Sequence, residues 1–309
     1  MADTQKLNEE SLQMHAANHG KLETRCKVPL ENGHDLAIAY TPGVAAPCLK
    51  IKDDPKLSFE YTWRGNVVAV ITDGTRVLGM GDIGAEAAMP VMEGKSVLYK
   101  KFGDIDSVPI CIDTKDPDEF ISIVEKLQPS FGGVNLEDIS SPKCYQIEAE
   151  LIKRCQIPIF HDDQHGTAII ACAAVLGALR FVKKDISSAR CVVNGCGAAV
   201  AGTGRSDTPN QVNNVCVFPG VFRGALDVRS SAITEEMKVA AVHAIAGLIK
   251  DEELREDYVV AGAFDRRIVP EVAAAVAKVA MEQGIARIKR DPEDIKKEAA
   301  ARIAKNWNA

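Results

Sequence analysis

The sequence predicts an α/β protein built on a parallel sheet with helices on both faces. Three observations predict it: short strands alternate with helical segments, the strands are apolar throughout, and one strand runs into a Gly-x-Gly turn. Continuously apolar strands are typical of parallel sheets that are buried on both faces. At 309 residues, 46% hydrophobic and 26% charged, the chain has the composition of a globular protein with one large or two ordinary domains.

The first 60 residues form a mixed region that opens with a predicted helix at Glu9–His19 and continues through a loop around Tyr40. After this region, strand and helix alternate four times. The predicted strands are Asn66–Thr72, Val108–Asp113, Gly133–Leu136 and Ile157–Phe160, and the helices that follow them are Met89–Tyr99, Pro117–Leu127, Cys144–Arg154 and Gly166–Phe181. A further strand, Cys191–Asn194, leads into the Gly-x-Gly turn.

The C-terminal part is predicted to be helical. Thr234 is a typical N-cap, and two glutamates follow it in the first turn of a helix that runs to Leu248. Val269–Gln283 has a helical apolar pattern. Asp291-Pro292 combines a capping side chain with proline at the first helical position, so a last helix begins there.

Charge and cysteine usage limit the expected partners and compartment. Lys and Arg total 37 against 43 Asp and Glu, and the net charge of −6 without a basic cluster argues against nucleic acid as a partner. The nine cysteines are odd in number and form no Cys-x-x-Cys pair, which favours free thiols in a reducing compartment. We find no signal-peptide pattern and no run as long as a membrane span, so we expect a cytoplasmic protein that does not bind a membrane.

Acidic residues follow the third and fourth strands, as Glu137-Asp138 and as Asp162-Asp163. Because the carboxyl ends of parallel strands meet at one edge of a sheet, these side chains are expected to converge there. Clustered carboxylates repel one another unless a divalent cation neutralises them, and an all-oxygen ligand set suits Mg²⁺ or Mn²⁺. The alternative is that Asp162 or Asp163 only caps the helix that begins at Gly166.

Other polar residues near these strand ends leave more than one interpretation open. His161 and His165 have a spacing that zinc ligands use, but without a cysteine partner a packing or supporting role is favoured. Arg76, in a glycine-rich loop, is either a carboxylate-binding side chain or an exposed loop arginine. Lys95 would have its pKa lowered towards the range of a general base if a metal and an arginine lay beside it. Tyr40, at a turn, is unremarkable by itself.

Taken together, these segments resemble the malic enzymes, specifically the short bacterial type. The matching stretches cover nearly the whole chain: Gly20–Thr24, Leu36–Ala45, Ile71–Gly84, Pro90–Lys95, Asn135–Ile139, Phe160–Ala168, Val193–Ala199, Thr203–Val215 and Phe218–Asp227. The resemblance implies a malic-enzyme N-terminal substrate domain over residues 1–185. Residues 186–309 would then form a truncated, Rossmann-like NAD(P)-binding remnant with C-terminal helices.

The resemblance also implies an activity, the oxidative decarboxylation of malate to pyruvate and CO₂ with NAD or NADP and with Mg²⁺ or Mn²⁺. By position, the resemblance implies Tyr40 as the general acid and Lys95 as the general base. It implies three metal ligands, Glu137, Asp138 and Asp163, with Asp162 as a neighbour of the metal and the cofactor. The implied substrate contacts are Arg76 and Asn213, with Asn214 beside them. In short relatives the acid and the base of one site can come from two subunits, so a homodimer is expected.

The chain departs from the family at the cofactor-binding turn. Gly195 and Gly197 open that turn, but Val200 stands at the third glycine position and the family pattern resumes at Thr203. A βαβ unit needs about 30 residues, and no room is left for one. We therefore expect poor NAD(P) binding and an impaired malic enzyme. The alternatives are a metal-dependent oxaloacetate decarboxylase without hydride transfer, and a non-catalytic dimerisation or regulatory remnant.

Overall fold

Four parallel strands form one sheet in the computed structural model, which describes residues 2–191, 202–204 and 208–307. In chain order the strands are β1 (Val67–Thr72), β2 (Asp106–Cys111), β3 (Gly133–Leu136) and β4 (Ile159–His161), and across the sheet their order is β2-β1-β3-β4. Val68 of β1 pairs with Ser107 of β2 on one side and with Gly133 of β3 on the other. The predicted α/β fold with a parallel sheet is confirmed.

Helices connect the strands and continue beyond the sheet. In the described part of the chain they are α1 (Ala2–Asn18), α2 (Gly33–Ala39), α3 (Ala45–Asp53), α4 (Ser58–Tyr61), α5 (Ala85–Gly103), α6 (Pro117–Leu127), α7 (Lys143–Arg154), α8 (Thr167–Phe181), α9 (Phe218–Asp227), α10 (Glu235–Ala246), α11 (Ile268–Glu282) and α12 (Pro292–Trp307). Helix α6 has the predicted bounds, whereas α1 begins seven residues before the predicted start at Glu9. Of the predicted strand Cys191–Asn194, Cys191 is not in a strand and the rest lies outside the described residues.

Alternate residues of β1 face two separate apolar layers. Val67, Ala69 and Ile71 pack into a cluster with apolar side chains of α6 and α7. Val68 and Val70 belong to the cluster on the opposite face, which includes residues of α5, α8 and α9. Each fully buried aliphatic side chain of this kind contributes about 1.5–3 kcal/mol relative to leaving it in water. The apolar strand pattern is therefore explained by burial on both faces.

The C-terminal helices share an apolar core with the sheet. All residues of α9 are buried, and side chains of α9, α10, α11 and α12 join the same cluster as Val68 and Phe160. At Gly224 a Cβ atom would lie 2.4 Å from the Ala273 carbonyl oxygen, so only glycine lets α9 approach α11 this closely. The predicted domain boundary at residue 185 stays a prediction, but the helices after it do not have a separate core.

Residues 2–57 form an N-terminal arm on the outside of the protein. No residue of α2 or α3 is buried, and several large apolar side chains of the arm are exposed: Leu7, Leu12, Leu36, Ile38 and Leu49. The arm is attached to α5 through Lys21, whose backbone N–H donates to the Glu93 carboxylate at 3.2 Å. The arm therefore contacts helix α5 at Lys21, and several of its apolar side chains remain exposed.

Helix α8 continues a short π-helical turn, Asp162–Gly166. By length and composition alone, the combined stretch Asp162–Phe181 is long and apolar enough to span a membrane. This corrects the expectation that no segment of the chain is as long as a membrane span. Asp162 is fully buried at its start, and Ile170 and Ala173 of α8 belong to the apolar core. One face of this stretch therefore packs against the core, while other residues of α8, such as Ala168 and Cys172, are exposed.

Candidate active site

A cavity of about 940 Å³ lies at the carboxyl ends of the strands. Its wall is formed by residues that follow the strands, by α5 and by the N-terminal arm. Among the residues lining it are Lys21, Arg76, Lys95, Glu137, Asp138, His161, Asp163 and Asn214. This is the edge of an open α/β sheet at which ligands bind, because the loops that follow the strands leave a crevice there.

Three carboxylates converge at the cavity. Glu137, Asp138 and Asp163 each offer a ligand atom, and these atoms lie within 4.8 Å of one another. In an extended strand, neighbouring side chains point to opposite faces, but Asp138 has a left-handed backbone with φ of 53°, which ends this alternation. The backbone N–H of Asp138 donates to Asp163 Oδ2 at 2.8 Å, which joins the end of β3 to the turn that follows β4.

The environment of these carboxylates disfavours three negative charges. Burial, together with the Asp163 carboxylate, raises the pKa of Asp138 to about 6. Burial also raises the pKa of Glu137, against the opposing effect of Lys95. Among the described residues, Asp138 Oδ2 is buried without a hydrogen-bond partner. An all-oxygen donor set with a free buried oxygen fits a hard divalent cation such as Mg²⁺ or Mn²⁺, and the ligand roles stay a prediction.

Lys95 lies between two carboxylates. Its Nζ atom is 2.6 Å from Asp162 Oδ2 and 2.9 Å from Glu137 Oε1, and the side chain of Asn214 also donates to Asp162 Oδ2 at 2.6 Å. Burial alone would lower the pKa of Lys95, but the charges of Asp162 and Glu137 outweigh it and raise the pKa. The expected lowering of this pKa is conditional on a metal and an arginine beside Lys95, and it stays a prediction.

Asp162 and Asp163 do not cap α8. Asp162 is engaged by Lys95 and Asn214, Asp163 accepts from the backbone of Asp138, and no side chain caps the N-terminus of α8. The alternative that either aspartate is only a helix cap is therefore wrong. The proximity of Asp162 to a nicotinamide, which the resemblance implies, stays a prediction.

His165 has the supporting role that was favoured over zinc binding. Its Nε2 atom lies 2.8 Å from Glu148 Oε1, and Lys238 Nζ lies 3.2 Å from the same ring. The backbone N–H of His161 also donates to Glu148, at 3.2 Å. In the described part of the chain, the group with metal-ligand geometry is the carboxylate cluster, which contains neither histidine.

Of the remaining predicted residues, the structure places some in the cavity wall and others outside it. Arg76 lines it, whereas Asn213 is not among the described lining residues and its Oδ1 accepts from the Val215 backbone N–H at 3.0 Å. Asn214 lines the cavity instead. Tyr40 is 67% exposed and is likewise not among the described lining residues. Gly195 and Gly197 lie outside the described residues.

Three residues near the carboxylates were not predicted from the sequence to belong to the site. Lys21 of the N-terminal arm lines the cavity, and Asn135 and Tyr99 form hydrogen bonds behind Glu137. Asn135 left a signal, since it is a polar residue inside an otherwise apolar strand. Tyr99 lies four residues after Lys95, on the same face of α5. Nothing in the local sequence indicates that Lys21 reaches this site.

Comparison with known proteins identifies related chains. The family model described as malic enzyme, N-terminal domain, matches residues 19–152, and the model described as malic enzyme, NAD binding domain, matches residues 200–281. The bifunctional malic/malolactic enzyme of Bacillus subtilis (strain 168) is 42% identical, with 94% of this chain and 97% of that relative covered. The NADP-dependent malic enzyme of Escherichia coli (strain K12) is 40% identical, with 86% of this chain and 51% of that relative covered.

A solved structure agrees with these relatives. The malic enzyme from Pyrococcus horikoshii Ot3 superimposes with a TM-score of 0.92 and 33% identity, with 98% of this chain and 97% of that chain covered. The Bacillus match runs over 396 positions, 87 more than the 309 residues of this chain. The relative therefore contains residues that this chain lacks.

Proposed function

The chain belongs to the malic enzyme family, and on that premise we propose that it binds a divalent cation and malate in the cavity for oxidative decarboxylation to pyruvate and CO₂. Its relatives carry names of NAD- and NADP-dependent enzymes. The single observation that carries the proposal is the convergence of Glu137, Asp138 and Asp163 beside Lys95 on the cavity wall. Arg76 would bind a carboxylate of malate, with Asn213 or the neighbouring Asn214 as a further contact.

The residues of the chain account for the proton transfers. Lys95 is the proposed base for the C2 hydroxyl of malate, and Asp162, at 2.6 Å, is the nearest group to accept the proton that Lys95 must first lose. Tyr40 is the proposed acid that protonates C3 after CO₂ departs. When bound, Mg²⁺ or Mn²⁺ supplies Lewis-acid polarisation of the substrate oxygens, and NAD or NADP accepts the hydride from C2.

The position of Tyr40 supports a homodimer as part of this proposal. Tyr40 is exposed on the N-terminal arm, and Leu36 and Ile38 beside it are also exposed. A second copy of the chain that packs on this apolar surface would bury it and receive Tyr40 in its own cavity. The acid and the base of each site would then come from different subunits.

Hydride transfer is the step that we propose to be impaired. Val200 occupies the third glycine position, the family pattern resumes at Thr203, and the Bacillus relative has additional residues. The carboxylate cluster and Lys95 lie in the described residues before this junction. Metal-dependent oxaloacetate decarboxylation, which needs no hydride acceptor, is therefore the second candidate function, and a non-catalytic regulatory remnant is the third.

A cytoplasmic location is also part of the proposal. The cysteines in the described residues are all free thiols, including the buried Cys144, Cys155 and Cys216. Free thiols are typical of proteins in a reducing compartment. Partition of the tagged protein between cytosolic and membrane fractions checks this expectation.

Two measurements on the purified chain, whose intact mass is first verified, test the function. Mn²⁺ binding and oxaloacetate decarboxylation should both be present and should be lost in Asp163→Asn, while Asp53→Asn, an exposed aspartate on α3, should leave them unchanged. NAD(P)H formation from malate should be much slower than in an intact relative. Turnover that matches an intact relative would contradict the impairment, and a chain that binds no Mn²⁺ would leave the regulatory remnant as the surviving interpretation.

A further inference from the structure

A buried polar side chain stands behind the carboxylate cluster. Asn135 occupies the centre of β3, where it pairs with Val70 of β1 and Phe160 of β4, and it is fully buried. Positions of this kind in parallel sheets are normally apolar, and a buried amide is tolerated only when it is hydrogen-bonded. The hydrogen bonds of Asn135 therefore indicate what this residue does.

Asn135 links Tyr99 to Glu137. Its Nδ2 atom donates to Glu137 Oε2 at 2.7 Å, and its Oδ1 atom accepts from the Tyr99 hydroxyl at 3.1 Å. This orientation of the amide pairs its NH₂ donor with a carboxyl oxygen and its carbonyl oxygen with a hydroxyl that can donate. Burial and the charges of Asp162 and Glu137 raise the pKa of Tyr99, so its hydroxyl keeps the proton that it donates.

Asn135 and Lys95 hold different oxygens of Glu137. Lys95 Nζ lies 2.9 Å from Oε1, while Asn135 binds Oε2. Without Asn135, the carboxylate could turn both oxygens towards the ammonium group, and this would withdraw it from Asp138 and Asp163. The ring of Tyr99 is itself fixed between Phe218 and Phe222, with centroid distances of 4.6 and 5.6 Å.

We propose that Asn135, oriented by Tyr99, is a positioning residue that holds Glu137 in place to ligate a divalent cation with Asp138 and Asp163. This inference rests on the proposed metal site. It assigns a role to two residues that touch neither the substrate nor the cation. Hydrogen-bond partners of metal ligands typically account for about 10–100-fold in metal affinity.

The test compares Mn²⁺ affinity with thermal stability in three variants of the full chain. Asn135→Leu removes both hydrogen bonds at similar volume, and Tyr99→Phe removes only the hydroxyl. Phe120→Leu is the matched control, because Phe120 is a buried aromatic side chain of the apolar cluster on the opposite face of the sheet, which does not contain Tyr99. Mn²⁺ affinity is measured from the electron paramagnetic resonance signal of free Mn²⁺, and stability from the melting temperature.

We expect Asn135→Leu to weaken Mn²⁺ binding by about 10–100-fold and Tyr99→Phe by roughly threefold or more, while Phe120→Leu lowers the melting temperature and leaves the affinity unchanged. If Asn135→Leu does not fold, Tyr99→Phe decides the question alone. Unchanged affinity in Tyr99→Phe, or an equal loss in Phe120→Leu, would overturn the inference while the metal site itself stands. A wild-type chain that binds no Mn²⁺ would overturn both.

Discussion

The ammonium group of Lys95 lies 2.6 Å from Asp162 Oδ2, and both side chains are buried. Lys95 reaches this position from α5, and Asp162 from the turn after β4. Since Glu137 is also within 2.9 Å, one cation neutralises part of the charge of two acids. The pair therefore has a structural role in addition to the proposed catalytic one.

Replacing Lys95 with methionine should destabilise the fold as well as abolish turnover. The substitution leaves Asp162 and Glu137 buried without their cation, and removal of one partner from a buried ion pair typically costs about 3–5 kcal/mol. Urea denaturation measures the loss of unfolding free energy. Lys126→Met, on the exposed side of α6, is the control that should change little. Equal stability of the two variants would contradict the interpretation of the Lys95 contacts.

Lys21→Met should weaken the binding of dicarboxylates selectively. Among the described residues, Lys21 and Arg76 are cavity-lining cations without a carboxylate within ion-pair distance, and Lys21 Nζ instead donates to the Pro90 carbonyl oxygen at 2.7 Å. Both can therefore receive an anionic ligand. Since a hydrogen bond to a charged group is worth about 1.5–3 kcal/mol, we expect roughly 10–100-fold weaker malate binding to the Mn²⁺-loaded protein.

Calorimetric titration with malate and with lactate separates this role from a general loss of binding. Lactate lacks the second carboxylate, so its affinity should be nearly the same in Lys21→Met and in the wild type. Lys6→Met removes an exposed lysine of the same arm and is the control. Proportional losses for malate and lactate would show that Lys21 does not distinguish the second carboxylate.

Mixing Tyr40→Phe with Asp163→Asn tests the shared site. If Tyr40 acts in the cavity of the second subunit, each hybrid dimer contains one site with both changes and one site with neither. Random exchange of subunits should then restore roughly a quarter of the wild-type metal-dependent exchange of pyruvate methyl protons, measured by NMR. A mixture that is no more active than the separate variants would mean that the Tyr40 and Asp163 of one site come from the same subunit.

The sequence predicted the elements of the sheet better than the contacts within the site. The apolar patterns located the four strands of the described sheet and the bounds of α6, because burial on both faces of a sheet requires apolar residues within each strand itself. The convergence of acids at strand ends was also predictable. The hydrogen bonds were not: Lys95 and Asp162 are 67 residues apart, and the left-handed turn at Asp138 is not marked by a glycine. In the proposed homodimer, the surroundings of Tyr40 would also depend on a second chain, which no pattern in one sequence describes.

Glu148→Gln should destabilise the protein in a pH-dependent way. Burial would raise the pKa of Glu148, but the hydrogen bond from His165 and the charges of His165, Lys238 and His161 outweigh it and lower the pKa. A carboxyl whose pKa is lower in the folded state stabilises that state above its unfolded pKa of about 4.3, and loses this contribution as the pH falls through the folded value.

The difference in unfolding free energy between wild type and Glu148→Gln should therefore be about 1–3 kcal/mol near pH 7 and should shrink below about pH 4. Urea denaturation at both pH values measures it. Glu150→Gln is the control on the same helix, because Glu150 pairs with Lys153 and Arg154 at the exposed surface, where ion pairs contribute little. A difference that stays constant from pH 7 to below about pH 4 would mean that Glu148 acts through packing and not through its charge, because the carboxyl group of glutamate titrates and the amide of glutamine does not.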